Sequence, residues 1–332
     1  MGFRACRVFA DGEGVVPRLV EMDVADLSPG DVLIRVEWSG VNFKDALAVT
    51  GRGRILKRTP LNAGIDLAGR VERSADPRFA AGDAVLANGM GLGESHDGGF
   101  AEYASVPADW VVSLPEGLTL VEAMTLGTAG FTAALGLHRM EVNGQSPDLG
   151  PIVVTGATGG VGSVAISMLA ARGYEVIAVS GRSEHEAYLR ELGAHDVKTP
   201  EALALGTRPL DRARFGGAID NVGGALLARL IPHIQLGGNI ASVGNAGGPS
   251  FETTVFPFIL RGVSLLGASS ATCPMPLRTA LWNRLGGGLK PPHLARIVTR
   301  TVPLDEVVAA CESLMERRAL GRILVDCRGR QE

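Results

Sequence analysis

Glycines follow a short apolar run near the middle of the chain, in a pattern typical of a turn that binds an anion. The apolar run covers residues 152–154, and the glycines after it are Gly156, Gly159, Gly160 and Gly162. Glycine lets the backbone approach a ligand closely, and the free N–H groups at the start of the next helix favour negative charge. Because strand, turn, helix and strand follow in order, we predict a dinucleotide pyrophosphate site rather than an ordinary tight turn. The predicted contacts are Thr158, Gly159, Gly160 and Val161.

The next strand ends in Ser180, Gly181 and Arg182, where folds of this kind contact the adenosine ribose. NAD-binding chains usually have an acidic residue there, whereas this chain has none before Glu184. An arginine and a hydroxyl suit a 2′-phosphate, which an acid would repel. We therefore predict that residues 180–182 bind NADPH. The alternative is that residues 183–186 form a capping box and the arginine is solvated, and both can hold together.

A second group of polar residues comes directly after a strand that ends at Val41. Asn42 could donate an amide N–H to a substrate or nicotinamide, Lys44 could supply positive charge, and Asp45 could orient either one. We treat these three as candidate catalytic residues. The alternative is that Asn42 caps a helix that begins near Lys44, and that Asp45 only satisfies the turn.

Elements of two kinds must position these residues. The first third of the chain consists of short strands punctuated by glycine and proline, which predicts a compact, barrel-like β domain. From Pro151 apolar strands alternate with helices, which predicts βαβ units and a parallel sheet. From about Ala271 the chain returns to loops, one helix and a final strand, and we expect this tail to complete the first domain. The predicted fold class is α/β.

Composition and charge restrict the classes of function. The chain has 332 residues, 46% of them hydrophobic and 20% charged, with a net charge of −3. These values fit a globular protein and give no indication of a nucleic-acid or membrane surface. The four cysteines have no metal-binding or disulfide-like spacing, and we expect a cytoplasmic protein that binds neither nucleic acid nor membrane.

Five segments resemble the zinc-free quinone oxidoreductase branch of the medium-chain dehydrogenase/reductase superfamily, and within it the acryloyl-CoA reductase group. The resemblance covers nearly the whole chain. It is carried by residues 39–53 (SGVNFKDALAVTGRG), 64–69 (GIDLAG), 154–163 (VTGATGGVGS), 180–182 (SGR) and 243–248 (VGNAGG).

The resemblance implies a GroES-like, β-rich catalytic domain and a Rossmann cofactor domain with a doubly wound parallel sheet. We place the first at 1–122 and 268–332, and the second at 123–267. It also implies a homodimer, for which residues 262–269 are an apolar candidate edge strand. In zinc-containing relatives a Cys and a His-Glu pair bind the metal, whereas the matching positions here hold Asn42 and Ile65-Asp66. We therefore predict no metal.

Further contacts follow from the resemblance. Phe43 stands where related reductases have a tyrosine, so the hydroxyl expected near the nicotinamide is absent and the proton donor is open. Contacts with the cofactor are expected from Phe43, Asn221, Val243, Gly244 and Arg322, with the substrate as a second possibility for Arg322. Contacts with the substrate are expected from Arg52, Phe256 and Phe258, although the arginine could be solvated and the phenylalanines core residues.

The activity that the resemblance implies is NADPH-dependent reduction of an activated C=C bond, with hydride transfer to the β-carbon. The most specific form is reduction of acryloyl-CoA to propanoyl-CoA. The alternative enzyme is a reductase of quinones or small enones. A different class of protein, one that binds NADPH with little catalysis, is the third possibility.

Overall fold

The computed structural model describes residues 1–329, which fold as two compact units. The β-rich unit comprises Met1–Thr128, Ala271–Gly286 and the segment from Val298 onward. The parallel-sheet unit comprises Ala129–Ser270 and Gly287–Ile297. The predicted domains differ from these units mainly in the segment Gly287–Ile297, which the sequence analysis places with the β-rich part. Within that segment Leu294 and Ile297 are buried on the helix Leu294–Ile297, which packs against the helix Gly160–Ala171 of the parallel-sheet unit.

The strands in the described part of the chain are β1 (Gly2–Asp11), β2 (Gly14–Asp23), β3 (Val32–Gly40), β4 (Leu61–Asn62), β5 (Asp66–Ser74), β6 (Ala84–Asn88), β7 (Tyr103–Val106), β8 (Val112–Ser113), β9 (Ile152–Thr155), β10 (Val176–Val179), β11 (Asp196–Lys198), β12 (Phe215–Asp220), β13 (Ile234–Ser242), β14 (Ser264–Gly267), β15 (Val298–Pro303) and β16 (Arg322–Asp326). The helices are α1 (Phe43–Val49), α2 (Leu120–Val142), α3 (Gly160–Ala171), α4 (Glu186–Glu191), α5 (Gly224–Leu230), α6 (Phe256–Arg261), α7 (Met275–Gly286), α8 (Leu294–Ile297) and α9 (Val307–Met315).

The β-rich unit contains two sheets. A three-stranded sheet has the order β2-β1-β4, and a larger sheet has the order β15-β16-β3-β5-β6-β8, with β7 also paired to β3. Strand β3 is buried over most of its length: Val32, Ile34 and Val36 lie in one core cluster of this unit, and Leu33 lies in another. The last strand, β16, pairs with β3, so the C-terminal segment completes the sheet as predicted.

The parallel-sheet unit contains one sheet with the order β11-β10-β9-β12-β13-β14, in which every pair is parallel. Strands β9, β10 and β12 are buried throughout, as expected for a sheet covered on both faces. The chain first builds outward from β9 to β11 and then continues on the other side of β9 with β12. The strand order therefore reverses between β9 and β12, and ligands of doubly wound sheets bind outside the strand ends at such a point.

Helix α2 is long and apolar enough to cross a membrane by length and composition, but 83% of its most apolar window is buried in the protein. It is also broken at Gly127, whose φ of 48° and ψ of −152° are not helical. Burial and the break identify α2 as a core helix of a folded protein.

Candidate functional site

The glycine turn of the parallel-sheet unit leads from β9 into α3, as predicted. Gly156 has a φ of +58°, which lies in the left-handed region that favours glycine. A Cβ at Gly162 would lie 2.5 Å from the Gly156 carbonyl oxygen, so the helix and the turn approach each other as only glycine allows. Because α3 begins at Gly160, the N–H groups of its first turn have no partner within the helix. Such groups suit the anion site that the sequence predicts.

Arg182 lies beside this turn rather than in solvent. Its Nη2 donates to Thr158 Oγ1 at 2.6 Å, and its backbone N–H donates to Ser180 Oγ at 3.0 Å. Burial lowers the pKa of the guanidinium, although the group stays charged at neutral pH. The alternative of a capping box with a solvated arginine is not supported, because residues 183–185 form a short 3₁₀ turn without a side-chain cap.

Tyr188 on α4 is a residue that the sequence analysis missed. Its hydroxyl donates to Ser163 Oγ at 2.9 Å and lies near the Arg182 charge. Burial, the largest effect, raises the pKa of the phenol to about 12, so it stays a neutral donor. No local sequence pattern indicates this contact. It depends on the path of the chain through the 3₁₀ turn and α4, which brings Tyr188 close to Ser163.

The remaining predicted cofactor residues of this unit lie at the ends of β12 and β13. Asn221 donates its side-chain amide to Thr155 O at 2.7 Å and packs against the glycine turn, where a Cβ at Gly156 would lie 3.1 Å from the Asn221 Cβ. Val243 donates its backbone N–H to Asp220 O at 2.9 Å. A Cβ at Gly244 would lie only 2.4 Å from Asn221 O. The structure therefore brings the glycine turn and these two strand ends together at the point where the strand order reverses.

This arrangement fits a phosphorylated dinucleotide. The glycine turn allows close backbone approach, and Thr158, Ser180 and Arg182 form a group of donors suited to a phosphate. A 2′-phosphate is compatible with this cationic group.

A buried polar cluster lies in the β-rich unit and involves two of the three candidate catalytic residues. Asn42 donates its side-chain Nδ2 to Asp45 Oδ2 at 3.0 Å and to Asp66 Oδ2 at 2.8 Å, and its Oδ1 accepts from Arg322 Nη1 at 2.8 Å. Thr128 completes the cluster by donating its backbone N–H and its hydroxyl to Asp66, at 2.8 and 2.5 Å. The amide of Asn42 is therefore committed to protein partners, which argues against its donating to a substrate.

Asp45 serves the local fold. It is 1% exposed, and its carboxylate accepts the backbone N–H groups of Asn42 and Ile65 at 2.9 and 2.8 Å. Asn42 occupies the N-cap position of α1, which fits the capping alternative. Burial, followed by the charge of Asp66, raises the pKa of Asp45 to about 7.

Arg322 corrects a prediction. The sequence analysis places it facing the cofactor or substrate, but the residue is 2% exposed and its guanidinium binds the carbonyl oxygens of Val41 and Thr125 at 3.0 and 3.1 Å. It also lies 3.7 Å from Asp66 Oδ2. A buried arginine beside two buried carboxylates compensates their charge, which explains its position at the start of β16.

Lys44 is the more accessible ionisable residue of the candidate catalytic group. Its side chain is 34% exposed, and its Nζ pairs with Glu94 Oε1 at 2.7 Å. The sequence analysis did not identify Glu94, which follows two glycines in the left-handed region, Gly91 and Gly93. Such a long-range ion pair leaves no trace in local spacing.

The other predicted residues differ in their exposure. Phe43 begins α1 and is 45% exposed, and Arg52 is exposed in the turn after that helix. Phe256 is exposed at the start of α6, whereas Phe258 is partly buried against the core of the parallel-sheet unit. Phe258 therefore corresponds to the core alternative. Among residues 1–329, no three His, Cys, Asp or Glu side chains are placed to hold a metal ion.

Two family models match the chain. The alcohol dehydrogenase GroES-like domain matches residues 28–116, and the zinc-binding dehydrogenase family matches residues 160–284. YhfP of Bacillus subtilis is 49% identical over 97% of this chain and 98% of YhfP. The acrylyl-CoA reductase AcuI of Ruegeria pomeroyi is 42% identical over 92% of this chain and 93% of AcuI. The quinone oxidoreductase of Sus scrofa is 28% identical over 97% of each chain.

Solved structures agree with this result. The structure of Escherichia coli YhdH with bound NADPH has a TM-score of 0.94 and 42% identity, and the comparison covers 98% of this chain and 100% of YhdH. The structure of Bacillus subtilis YhfP with bound NAD has a TM-score of 0.95 and 47% identity, with 98% and 99% covered. The predicted fold class, a GroES-like domain with a Rossmann domain, is confirmed. The chain belongs to the medium-chain dehydrogenase/reductase superfamily, in the group that contains quinone oxidoreductases and acryloyl-CoA reductases.

Proposed function

We propose that the protein is a cytoplasmic, NADPH-dependent reductase of an activated C=C bond, with acryloyl-CoA as substrate and propanoyl-CoA as product. The observation that supports NADPH as the cofactor is the hydrogen bond from Arg182 to Thr158, which holds a cation beside the glycine turn. The observation that favours the thioester is the 42% identity to an acrylyl-CoA reductase over almost the whole chain.

The reaction adds a hydride at the β-carbon and a proton at the α-carbon, and negative charge develops on the carbonyl oxygen. Bound NADPH supplies the hydride. Thr158, Gly159, Gly160 and residues 180–182 would hold the phosphates of the cofactor, while Asn221, Val243 and Gly244 line the strand ends nearest the glycine turn. Of the three candidate catalytic residues we assign the electrostatic role to Lys44, because its charged amine is partly exposed while Asn42 and Asp45 are enclosed.

The substrate's own charge offers a second point of recognition. Arg52, Arg54, Lys57 and Arg58 are exposed in the loop after α1. We propose that Arg52 contacts the phosphates of the CoA moiety, because these carry the complementary charge. Phe256 is the remaining candidate for an apolar substrate contact, since Phe258 is partly buried in the core.

The test is the initial rate of NADPH oxidation with acryloyl-CoA, acrylate and a simple quinone, each repeated with NADH. A dominant rate with acryloyl-CoA and NADPH would support the proposal. Equal or faster reduction of the quinone would favour the alternative, a quinone reductase, which the pig relative represents.

A Lys44→Met variant tests the electrostatic role of Lys44 in catalysis. Loss of the charge should lower kcat by about tenfold or more while NADPH affinity stays unchanged.

We also propose that the protein is a homodimer. Strand β14 lies at the edge of the parallel sheet. The segment just before it exposes the apolar side chains of Val255, Ile259 and Leu260. An unpaired strand edge next to exposed apolar residues is a typical protein–protein surface. Sedimentation velocity tests the proposal: the wild type should sediment as a dimer and an Ile259→Glu variant as a monomer.

A further inference from the structure

Two buried polar side chains end neighbouring strands at the point where the order of the parallel sheet reverses. Thr155 is the last residue of β9, Asp220 is the last residue of β12, and both are fully buried. Thr155 Oγ1 donates to Asp220 Oδ1 at 2.6 Å, which ties the two strand ends together. Because doubly wound sheets bind ligands outside this crevice, the pair lies directly beneath the predicted cofactor site.

The pair also holds the turn at residues 221–223. The Asn221 backbone N–H donates to Thr155 Oγ1 at 2.9 Å, and the Gly223 N–H donates to Asp220 Oδ2 at 2.8 Å. A longer bond of 3.4 Å joins the Val222 N–H to Asp220 Oδ1. The three consecutive N–H groups of the turn are therefore bonded to these two side chains.

The turn contacts the glycine turn on one side and the end of β13 on the other. Asn221 packs against Gly156, and a Cβ at Gly244 would clash with the Asn221 carbonyl oxygen. Val243 is bonded to the backbone of Asp220 itself. A small shift of the turn would therefore displace several predicted cofactor contacts together.

Asp220 has no direct part in the proposed reaction. Burial raises the pKa of its carboxyl, opposed by the hydrogen bonds from Thr155, Gly223 and Val222. A buried carboxyl is costly unless it is hydrogen-bonded, and the bonds of Asp220 go to Thr155 and to the turn at 221–223.

We propose that Thr155 and Asp220 are positioning residues for the cofactor: they fix the turn at 221–223 and so set the contact that Asn221 makes with the nicotinamide half of the dinucleotide. The inference rests on the proposed function for the placement of that half: with the adenosine ribose at the end of β10 and the pyrophosphate at the glycine turn after β9, the end of β12 lies on the nicotinamide side. The adenosine half depends on Arg182 and Ser180, which follow β10, on the opposite side of β9 from β12.

The experiment measures binding by titration calorimetry for Thr155→Val, Thr155→Ser and Asp220→Asn. The ligands are NADPH, NADH and adenosine 2′,5′-bisphosphate, which lacks the nicotinamide half. Thr155→Val should weaken NADPH and NADH alike by about tenfold, because it removes both hydroxyl bonds, and should leave the bisphosphate within about twofold. Thr155→Ser should restore the dinucleotide affinities, and Asp220→Asn should repeat the Thr155→Val pattern.

A control variant, Ser167→Ala, removes a buried hydroxyl from α3 away from the turn and should leave all three affinities unchanged. Equal weakening of the bisphosphate by Thr155→Val would identify a merely structural role and overturn the proposal. Unchanged NADPH affinity in Thr155→Val would also overturn it while leaving the proposed function intact. Failure of the wild type to bind either dinucleotide would overturn both.

Discussion

The glycine turn and the buried polar cluster both gather polar groups, but they differ in what those groups bind. In the cluster, Asn42, Asp45, Asp66 and Arg322 bind one another and the backbone, at distances of 2.8–3.7 Å. At the glycine turn, the first N–H groups of α3 have no helical partner and Arg182 is partly exposed. A saturated cluster is suited to hold a fold together, whereas a site with spare donors is suited to bind a charged ligand.

The largest effect is expected from removing Arg322, which tests whether the buried polar cluster stabilises the fold. An Arg322→Ala variant leaves Asp66 and Asp45 buried without their cation, which should lower the free energy of unfolding by about 3–5 kcal/mol. Urea denaturation measures the effect. Arg300→Ala is the matched control, because Arg300 forms an exposed pair with Glu306 and its loss should cost less than about 1 kcal/mol. Equal, small effects from both variants would show that the cluster is not a structural unit.

Removal of Arg182 tests whether the glycine turn and its neighbours bind a charged ligand. Arg182→Ala should weaken NADPH binding by about 10- to 100-fold, because hydrogen bonds to a charged phosphate are lost, and should leave NADH binding almost unchanged. Fluorescence titration with both cofactors measures the ratio. Arg190→Ala, which removes an exposed pair with Glu186 on the same unit, should change neither affinity. Equal losses for NADPH and NADH in Arg182→Ala would remove this residue from the phosphate site.

The titration of Asp45 gives a smaller effect with a defined sign. Its pKa is raised from 3.8 to about 7 in the folded protein, so folding is favoured when the group is protonated. That contribution is present at low pH and is lost as the pH rises towards 7, at no more than about 1.4 kcal/mol per pH unit. The stability advantage of the wild type over Asp45→Asn should therefore shrink between pH 5 and pH 7 and level off above pH 8. Urea unfolding at each pH measures it, and an advantage that grows with pH would contradict the assignment.

The smallest expected effect is at the edge of the candidate catalytic group. Glu94→Gln removes the charge that faces Lys44, but both side chains are partly accessible, at 16% and 34%. The stability change should therefore stay below about 1 kcal/mol. Thermal unfolding measures it, and a loss of several kcal/mol would place this pair with the buried cluster instead.

Sequence reasoning predicted the parallel-sheet unit better than the β-rich unit for a physical reason. The glycine turn, α3 and the strands on either side interact over short sequence separations. Their glycines can be recognised in the sequence, because a tight turn of this kind requires glycine at fixed positions. Elements such as α7, β11 and β15 were not identified, because the buried face of α7 includes Arg278 beside Leu281, Trp282 and Leu285 and the strands are short or half exposed. The partners of Asn42 and Lys44 depend on residues far along the chain, which no local pattern encodes.

The position of β16 has a consequence for synthesis on the ribosome. Arg322 reaches Val41 across 281 residues of sequence, and β16 pairs with β3 in the interior of the larger sheet. Asp45 and Asp66 are therefore synthesised early and remain without their cation until Arg322 has emerged. All strands of the parallel sheet are made before β15 and β16, so that sheet can assemble first during translation. A nascent chain stalled before residue 322 should thus hold a formed parallel sheet beside an incomplete β-rich unit that presents an open edge to chaperones.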